Sequence, residues 1–342
     1  MHRPLRLRLD RAALQHNWRW LQDRAGVQAG AAIKADGYGL GARETMAVLH
    51  EARCRTFFVS TYAEAEELGP APDDSALVVL HGVGPDDAAA ALASPARPVL
   101  NSIEQVARWK EIAPRRPADV MIDSGMNRLG LRPEEIGVLD GLTIDTLHSH
   151  LACADEDSRM NARQLAAFRE IAAVVPAKLY SMANSAGVCL GRDYSFGLVR
   201  PGLSLYGGIP RPEAEGNIRQ VVRVDAQVVQ RRRIRSGESC GYGATFVAPA
   251  DTEAAVVNVG YADGYLRGFS SRGSAFAGEF ALPVLGRVSM DLVVLGCDAA
   301  SDLKEGDWVE LDYDLPTASE ASGLSQYELL TTLGSRFERT WI

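Results

Sequence analysis

Residues 144–182 contain three consecutive patterns that decide the fold: IDTLHSH at Ile144–His150, MNARQLAAFREIAAV at Met160–Val174 and KLYSM at Lys178–Met182. The first and third are short runs with apolar residues typical of strands, and the middle segment has helical spacing. A strand, a helix and a second strand in this order predict two parallel strands joined by a crossover helix.

The same alternation extends over the first two thirds of the chain. Other segments with helical character are Ala42–Ala52 and Ile103–Ile112, and a helix over residues 10–24 with Asp10 as its N-cap precedes them. Eight strand–helix units in roughly 200 residues fit a closed (β/α)8 barrel of the TIM type better than an open sheet. The strand candidates are Ala31–Lys34, Thr56–Ser60, Ala76–Leu80, Pro98–Leu100, Asp119–Ile122, Ile144–His150, Lys178–Met182 and Leu198–Tyr206.

A change of composition near Pro210–Asn217 indicates a linker, and the residues beyond it predict a mainly β domain. Helical periodicity is scarce there until Leu324–Leu333. We therefore expect a barrel over residues 9–215 and a C-terminal β domain over residues 216–342, which the N-terminal strand at residues 1–8 joins. The β-branched runs are Gln220–Val229, Ala254–Gly260, Pro283–Leu295 and Asp307–Leu311.

Composition excludes several classes of protein. The 342 residues include 36 basic and 44 acidic side chains, so the chain lacks the positive surplus of a nucleic-acid-binding protein. No stretch of 18 apolar residues predicts a membrane span, and the N-terminus has no apolar signal-peptide core. The five widely spaced cysteines argue against a disulfide framework and a cysteine-rich zinc site. We expect a cytoplasmic protein of two domains.

Lys34 lies in AAIKADGYGLG (Ala31–Gly41), where a predicted strand ends and a glycine-rich turn begins. In a parallel barrel, this end of the strands carries the active site. Burial among apolar residues would lower the pKa of the lysine and make its amine nucleophilic. The alternative is a lysine whose stem packs while its ammonium group reaches solvent.

Three further motifs follow predicted strands. In DSGMNRLGL (Asp123–Leu131), Arg128 could bind a substrate carboxylate or form a structural pair with Asp123. In SMANSAGV, Asn184 and Ser185 could form an anion site or simply cap a helix. In LVRPGLSLYGG, Arg200 precedes Pro201 and Gly202, where a ligand could approach the backbone closely.

His148 and His150 are two residues apart, so on a strand both side chains point to one face. That spacing invites a metal site, but all six histidines lie at or before position 150. A barrel metallohydrolase needs further histidine ligands from later strands. We therefore predict no metal site and expect a histidine here to act by hydrogen bonding.

The second half of the chain contributes three segments: SCGYGATF around Tyr242, GYADGY around Tyr261, and GRVSMD at Gly286–Asp291. Tyr242 lies between two glycines, which predicts exposure on a tight turn. Each segment alone is a weak signal, because an exposed tyrosine is usually part of a surface or an interface.

Taken together and in this order, these motifs resemble alanine racemases, pyridoxal-phosphate enzymes with a barrel and a C-terminal β domain. The resemblance extends over nearly the whole chain. It implies that Lys34 carries pyridoxal 5'-phosphate as a Schiff base and that Arg200 faces its pyridine nitrogen, with His150 hydrogen-bonded behind. The implied contacts around the phosphate are Tyr38, Asn184, Ser185, Gly202 and Leu203.

The resemblance also implies the reaction, which interconverts L-alanine and D-alanine for peptidoglycan synthesis or D-alanine breakdown. Racemisation removes a proton from Cα and returns one on the opposite face, so two bases are needed. Lys34 and Tyr242 match them. Arg128, Tyr261 and Met290 match substrate contacts, and Asp291 matches a supporting residue. Since Tyr242, Tyr261 and Met290 come from the other subunit in this family, a homodimer with shared active sites is implied.

Arg200 also suggests why racemisation would be favoured over transamination. An arginine at the pyridine nitrogen disfavours a proton there, because like charges repel. We expect this arrangement to limit delocalisation of the carbanion and to suppress transamination.

This chain departs from the family pattern at two positions. Met121 stands where many members carry a carbamylated lysine that orients the arginine, so we expect a bound anion such as chloride, or a neighbouring side chain, to orient Arg128. Ser335 stands where several members have a tyrosine near the pocket, which predicts a roomier pocket and some turnover of serine. The chain is also on the short side for the family.

Three alternatives stay open at this point. A racemase of broader specificity is the main one, although that form is often exported. A basic amino-acid decarboxylase would carry a cysteine-bearing C-terminal motif, which is absent here. A non-enzymatic pyridoxal-phosphate carrier barrel would lack the second domain.

Overall fold

The computed structural model describes residues 2–342, and its larger unit contains a parallel sheet of seven consecutive strands. Each strand pairs in parallel with the next along the chain, as the predicted alternation requires. The strands are Ala31–Ala32, Thr56–Val59, Ala76–Val79, Arg97–Leu100, Ala118–Met121, Ile144–His148 and Leu179–Ser181.

An eighth strand, Leu198–Val199, closes the ring. It pairs in parallel with Gln28–Ala29, which directly precedes the first strand of the sheet. On its other side, the amide of Arg200 donates to the carbonyl oxygen of Ala183 at 2.8 Å. The closed (β/α)8 barrel is therefore confirmed.

The last strand is shorter than the predicted Leu198–Tyr206. Pro201 has no N–H to donate to a neighbouring strand, and residues Leu203–Tyr206 turn into a 3-10 helix instead. After Arg200, the Pro201 carbonyl oxygen still accepts from the amide of Ala32 in the first strand at 2.9 Å, and the chain then leaves the sheet beside the site.

Helices follow most of the barrel strands, and polar side chains cap several of them. Asp10 Oδ1 accepts from the amide of Ala13, which confirms the predicted N-cap, and Ser102 and Ser158 cap two later helices in the same way. A 3-10 helix at Pro133–Leu139 takes the place of one barrel helix. The helices are Arg11–Ala25, Ala42–Glu51, Tyr62–Leu68, Ala88–Ala93, Ile103–Ile112, Arg159–Ala172 and Ser185–Leu190.

The smaller unit comprises the segment ending at Ala13, Tyr206–Gly208 and Gln220–Ile342. Its central strand, Val222–Ile234, pairs antiparallel with Leu5–Leu9, which also pairs in parallel with Glu338–Trp341. Leu5, Leu7 and Leu9 alternate with arginines and are buried, so one face of the N-terminal strand belongs to this core.

The remaining strands and helices complete the mainly β unit. The predicted run Pro283–Leu295 is broken into two strands by the Gly286–Asp291 loop, where Gly286 adopts a φ of 73°. The other strands are Ser239–Cys240, Phe246–Val247, Thr252–Val257, Ser274–Ala277, Phe280–Pro283, Val293–Gly296 and Trp308–Leu311, and the helices are Leu315–Ser322 and Gln326–Thr331. Among helices formed by residues 2–342, none combines the length and apolar content needed to span a bilayer.

Candidate active site

Lys34 follows the first strand of the barrel sheet, directly after the buried Ile33. Its side chain is half-buried. Burial is the main cause that lowers the pKa of its amine, and the positive charges of Arg128 and Arg200 lower it further. The negative charge of Glu64 opposes this shift. The amine therefore loses its proton more readily than that of an exposed lysine.

The segment Lys34–Tyr38 forms a left-handed turn rather than an ordinary helix. Ala35 and Asp36 both have φ of 52°, and Tyr38 has φ of 56°. Such a conformation costs roughly 1–2 kcal/mol for each residue that carries a Cβ. Hydrogen bonds hold the turn: Glu64 Oε1 accepts from the amide of Ala35 at 2.9 Å, and Asp36 Oδ1 accepts from the amide of Ala42 at 2.9 Å.

A cradle of hydroxyl and amide groups, formed by Ser185, Gly202 and Ser204, lies in the same unit. Ser185 Oγ accepts from the amides of Gly202 and Ser204 at 3.0 and 3.1 Å. The hydroxyl of Ser204 is buried without a partner among residues 2–342. A Cβ at position 202 would overlap the hydroxyl of Tyr38, so glycine is needed there.

Two neighbours complete the description of this cradle. Asn184 caps the helix that begins at Ser185, because its Oδ1 accepts from the amide of Gly187 at 2.9 Å. Its side chain therefore has the capping role that the sequence left open. Leu203 is buried and begins the 3-10 turn after Gly202.

Arg200 is buried, with 6% of its surface exposed, and its guanidinium is tightly held. Nη1 donates to Ser181 Oγ at 2.6 Å, and Nη2 donates to the carbonyl oxygen of Ser149 at 2.6 Å. Burial lowers the pKa of Arg200 to about 10, so it still carries its charge at neutral pH.

Both predicted histidines contact Arg200. The Nδ1 atoms of His148 and His150 lie 3.2 and 3.4 Å from its Nη1 and Nη2 atoms. Burial is the main cause that lowers their pKa values to about 4 and about 3, so both are neutral at pH 7. Within residues 2–342, no group of three metal-ligating side chains surrounds them.

The loop that carries Arg128 is held by Asp123. Its Oδ1 accepts from the amides of Gly125, Met126 and Asn127 at 2.9, 2.8 and 3.1 Å. The alternative Asp123–Arg128 pair does not form. Arg128 itself is exposed, and no side chain among residues 2–342 accepts a hydrogen bond from it. A neighbouring side chain of the described chain therefore does not replace the carbamylated lysine that position 121 lacks.

In the smaller unit, Tyr242 lies on a tight turn between Gly241 and Gly243, whose φ values are 76° and 72°. The predicted exposure is confirmed, with 64% of the tyrosine accessible. Arg287 lies beside this turn. A Cβ atom added at Gly243 would be 3.2 Å from its Nη1.

Tyr261 and Met290 lie on two loops that pack backbone against backbone. The amide of Tyr261 donates to the carbonyl oxygen of Ser289 at 3.0 Å, and the amide of Ala262 donates to that of Met290 at 3.1 Å. A Cβ at Gly260 would overlap the carbonyl group of Met290. The two candidate substrate contacts are therefore fixed relative to each other.

Arg336 joins the same two loops by ion pairs. Its Nε and Nη2 donate to the buried Asp263 at 2.5 and 2.7 Å, and its Nη1 donates to Asp291 at 2.7 Å. Asp291, which the sequence suggested as a supporting residue, is thus an ion-pair partner. Met290 is 53% exposed beside it.

The structure brings the site residues together in two groups. The larger unit holds Lys34, Tyr38, Arg128, His150, Asn184, Ser185, Arg200, Gly202 and Leu203, and the smaller unit holds Tyr242, Tyr261, Met290 and Asp291.

Sequence reasoning missed Glu64, Asp119, Arg287 and Arg336, each of which contacts a candidate site residue or one of its neighbours. A signal existed for Asp119, a carboxylate inside the apolar run ADVMI.

Two family models match the chain: that of the alanine racemase N-terminal domain over residues 9–210 and that of the alanine racemase C-terminal domain over residues 221–341. A catabolic alanine racemase of Agrobacterium fabrum is 41% identical, over 98% of this chain and 92% of its own length. An alanine racemase of Methylobacterium nodulans is 40% identical, over 98% and 96%.

Solved structures agree with the sequence comparisons. Alanine racemase from Bartonella henselae, solved with covalently bound pyridoxal phosphate, has a TM-score of 0.92 and 33% identity, with 99% of each chain covered. Biosynthetic alanine racemase from Pseudomonas aeruginosa has a TM-score of 0.90 and 31% identity, with 100% of each chain covered. The chain therefore belongs to the alanine racemase family.

Proposed function

We propose that this protein interconverts L-alanine and D-alanine with pyridoxal 5'-phosphate as cofactor, using Lys34 and Tyr242 as its two bases. The observation that carries the proposal is the environment of Lys34. The amine follows a barrel strand, its pKa is lowered by burial and by Arg128 and Arg200, and a cradle of serine hydroxyls and backbone amides lies in the same unit.

The residues of the larger unit fit pyridoxal phosphate. Lys34 would hold its aldehyde carbon, and the cradle of Ser185, Gly202 and Leu203, with Tyr38 beside it, would hold its phosphate. The buried hydroxyl of Ser204 supports this fit, because an unpartnered polar group in a folded protein usually awaits a ligand or water. When bound, the cofactor acidifies Cα of an amino acid by delocalising negative charge.

The chain's own residues move the protons. Lys34 takes or returns the Cα proton on one face, because its lowered pKa favours the neutral amine. Tyr242 does so on the opposite face with its phenolic oxygen. Arg287 lies beside the turn that carries Tyr242.

Arg128 and Met290 bind the substrate carboxylate in this proposal. Arg128 is free to do so, since it is exposed and makes no hydrogen bond or ion pair among residues 2–342. A guanidinium offers two parallel donors to a carboxylate. The Met290 amide, held next to Tyr261, supplies a further donor, and a bound anion remains the proposed partner that orients Arg128 in place of a carbamylated lysine.

We propose further that the enzyme is a homodimer, in which Tyr242, Tyr261 and Met290 complete the site of the partner subunit. The exposure of Tyr242 and Met290 is consistent with this, because both side chains are accessible to a second subunit. We also propose a cytoplasmic location, which the five free cysteines support.

Hydrogen exchange at Cα tests the two-base proposal. In D2O, the wild-type holoenzyme should exchange the Cα proton of both enantiomers and interconvert them. Tyr242→Phe should lose interconversion but still exchange the Cα proton of one enantiomer, through Lys34. Tyr327→Phe, at an exposed tyrosine on the Gln326–Thr331 helix, is the matched control and should behave as wild type. Exchange of both enantiomers by Tyr242→Phe would contradict the proposal.

A further inference from the structure

We infer that Asp119 is a positioning residue for the reaction, acting on Arg200 through the imidazole of His148. The inference rests on the proposed function, which places Arg200 at the cofactor's pyridine nitrogen. It concerns two residues, Asp119 and His148, that lie behind the site.

The three side chains form one buried chain of hydrogen bonds. Asp119 and His148 are fully buried, and Arg200 is nearly so. His148 Nε2 lies 3.0 Å from Asp119 Oδ2, and its Nδ1 lies 3.2 Å from Arg200 Nη1. Asp119 lies on the strand Ala118–Met121, and His148 lies on the next one, Ile144–His148. These hydrogen bonds therefore connect side chains of two neighbouring barrel strands.

The chemistry of the groups fixes where the protons lie. Arginine has only donors, so Nδ1 of His148 must accept from Arg200. The single proton of the neutral imidazole is then on Nε2, where it is donated to Asp119. Asp119 also accepts from the amide of Thr146 at 3.0 Å and from Arg97 Nε at 2.6 Å. Asp119 therefore accepts from three donors, one of which is the guanidinium of Arg97.

The hydrogen-bonded series from Asp119 through His148 supplies a counter-charge to Arg200. Its direct partners, the Ser149 carbonyl group, the Ser181 hydroxyl and the two histidines, are all neutral. A buried charge needs compensation, and the carboxylate of Asp119 lies one imidazole away. Without that carboxylate, the imidazole could turn its proton toward Arg200, and two donors would then face each other.

The tautomer of His148 tests the inference without any cofactor. In apoenzyme with ¹⁵N-labelled histidine, NMR at pH 7 should show an unprotonated Nδ1 and a protonated Nε2 for His148. In Asp119→Asn, whose amide group can present either a donor or an acceptor to Nε2, we expect a mixture of the two tautomers. Asp145→Asn is the matched control, because Asp145 also pairs with Arg97, at 2.8 Å, but does not contact His148. A wild-type His148 protonated at Nδ1 would overturn the inference.

Kinetics of the holoenzyme give the second readout. We expect Asp119→Asn to lower kcat by about tenfold, which is the effect of one lost hydrogen bond of about 1.4 kcal/mol, with KM for alanine changed less than about twofold. His148→Gln should have a similar effect, and the double variant should be no slower than either, because both changes break one chain. A wild-type kcat in Asp119→Asn, or additive losses in the double variant, would overturn the inference.

The two experiments separate this inference from the proposed function. If wild-type holoenzyme does not racemise alanine, the proposed function fails, whereas the ring nitrogens of the apoenzyme still report the tautomer. If Asp119→Asn does not fold, the wild-type tautomer and the kcat of His148→Gln decide the question.

Discussion

Tyr38 packs directly against Gly202, so that a Cβ at position 202 would overlap the tyrosine hydroxyl. The two residues come from opposite ends of the barrel sequence, and barrel closure brings them together because the last strand pairs with Gln28–Ala29, which directly precedes the first strand. This contact places an aromatic hydroxyl beside the cradle that Ser185 forms with the amides of Gly202 and Ser204.

Gly202→Ala should therefore displace Tyr38 and open the cradle. We expect the affinity for pyridoxal phosphate to fall by about tenfold, since one charge-assisted hydrogen bond to a phosphate contributes about 1.5–3 kcal/mol. Fluorescence titration of the apoenzyme with the cofactor measures this. Gly137→Ala is the control, because a Cβ there would meet nothing within 4 Å. An unchanged affinity in Gly202→Ala would contradict the assignment.

Glu64 should affect the pKa of Lys34 as well as stabilise the turn Lys34–Tyr38. Its two oxygens accept from the amides of Ala35 and Ser60 at 2.9 and 2.6 Å, and its charge raises the pKa of Lys34. In Glu64→Gln, an amide group would face one of these N–H donors and the pKa of Lys34 should fall further.

The rate at which apoenzyme Lys34 reacts with an amine reagent, followed against pH, measures this shift. In wild type, the rate should rise at lower pH than for the exposed Lys304, and in Glu64→Gln at lower pH still. Glu66→Gln, at an exposed glutamate on the same helix, should leave the profile unchanged. A profile of Lys34 identical to that of Lys304 would count against the site.

The buried histidines should make stability depend on pH. Burial lowers the pKa of His148 to about 4, whereas an unfolded histidine titrates near about 6.5. Between these values the unfolded chain binds a proton that the folded chain does not. The free energy of unfolding should therefore fall as pH falls, by about 1.4 kcal/mol per pH unit for each such histidine.

Urea unfolding at fixed protein concentration, from pH 7 to pH 4, gives the slope. His148→Gln should show a smaller slope than wild type, and His16→Gln, which changes a histidine bonded to the Asn217 carbonyl oxygen, serves as control. Equal slopes in wild type and His148→Gln would show that His148 is not held neutral.

Arg336 should set the geometry of the substrate loops. Arg336→Lys keeps the charge but cannot reach Asp263 and Asp291 together, because lysine lacks the planar fork of donors. We expect KM for alanine to rise by about tenfold with a smaller change in kcat, which corresponds to about 1.4 kcal/mol of substrate binding. Arg272→Lys, at an exposed arginine, is the control, and an unaltered KM in Arg336→Lys would refute this role.

Ser335 should widen the range of substrates. It is exposed, and the prediction that it replaces a tyrosine near the pocket implies a roomier pocket. We expect measurable turnover of serine, and Ser335→Tyr should reduce kcat/KM for serine more than for alanine, because a methylene and a hydroxyl need room in the pocket. Chiral chromatography of both amino acids after incubation provides the measurement. Serine inert with the wild-type enzyme would contradict the prediction.

The sequence predicted the barrel and the β unit because apolar runs and their spacing report burial directly. It could not predict the left-handed turn at Ala35 and Asp36, whose positive φ is stabilised by Glu64, a residue distant in sequence. It also could not show that Pro201 ends the last strand early.

Candidate catalytic and binding residues could be predicted where a motif follows a strand, as at Lys34 and Arg128. The supporting residues could not be predicted, because pairs such as Asp119 with His148 or Asp263 with Arg336 become neighbours only after folding. The histidine pair illustrates the difference: spacing predicted a shared face, the family resemblance implied that His150 bonds Arg200, and the structure adds His148 as a second contact of Arg200.

The central claim is that Lys34 of one subunit and Tyr242 of its partner serve one active site. Inactive Lys34→Ala and Tyr242→Phe proteins, mixed in equal amounts, unfolded and refolded together with pyridoxal phosphate, test it most directly. Shared sites predict that about a quarter of wild-type racemase activity returns, because half of the dimers are mixed and each has one intact site. No recovery of activity in refolded mixed dimers would contradict the account.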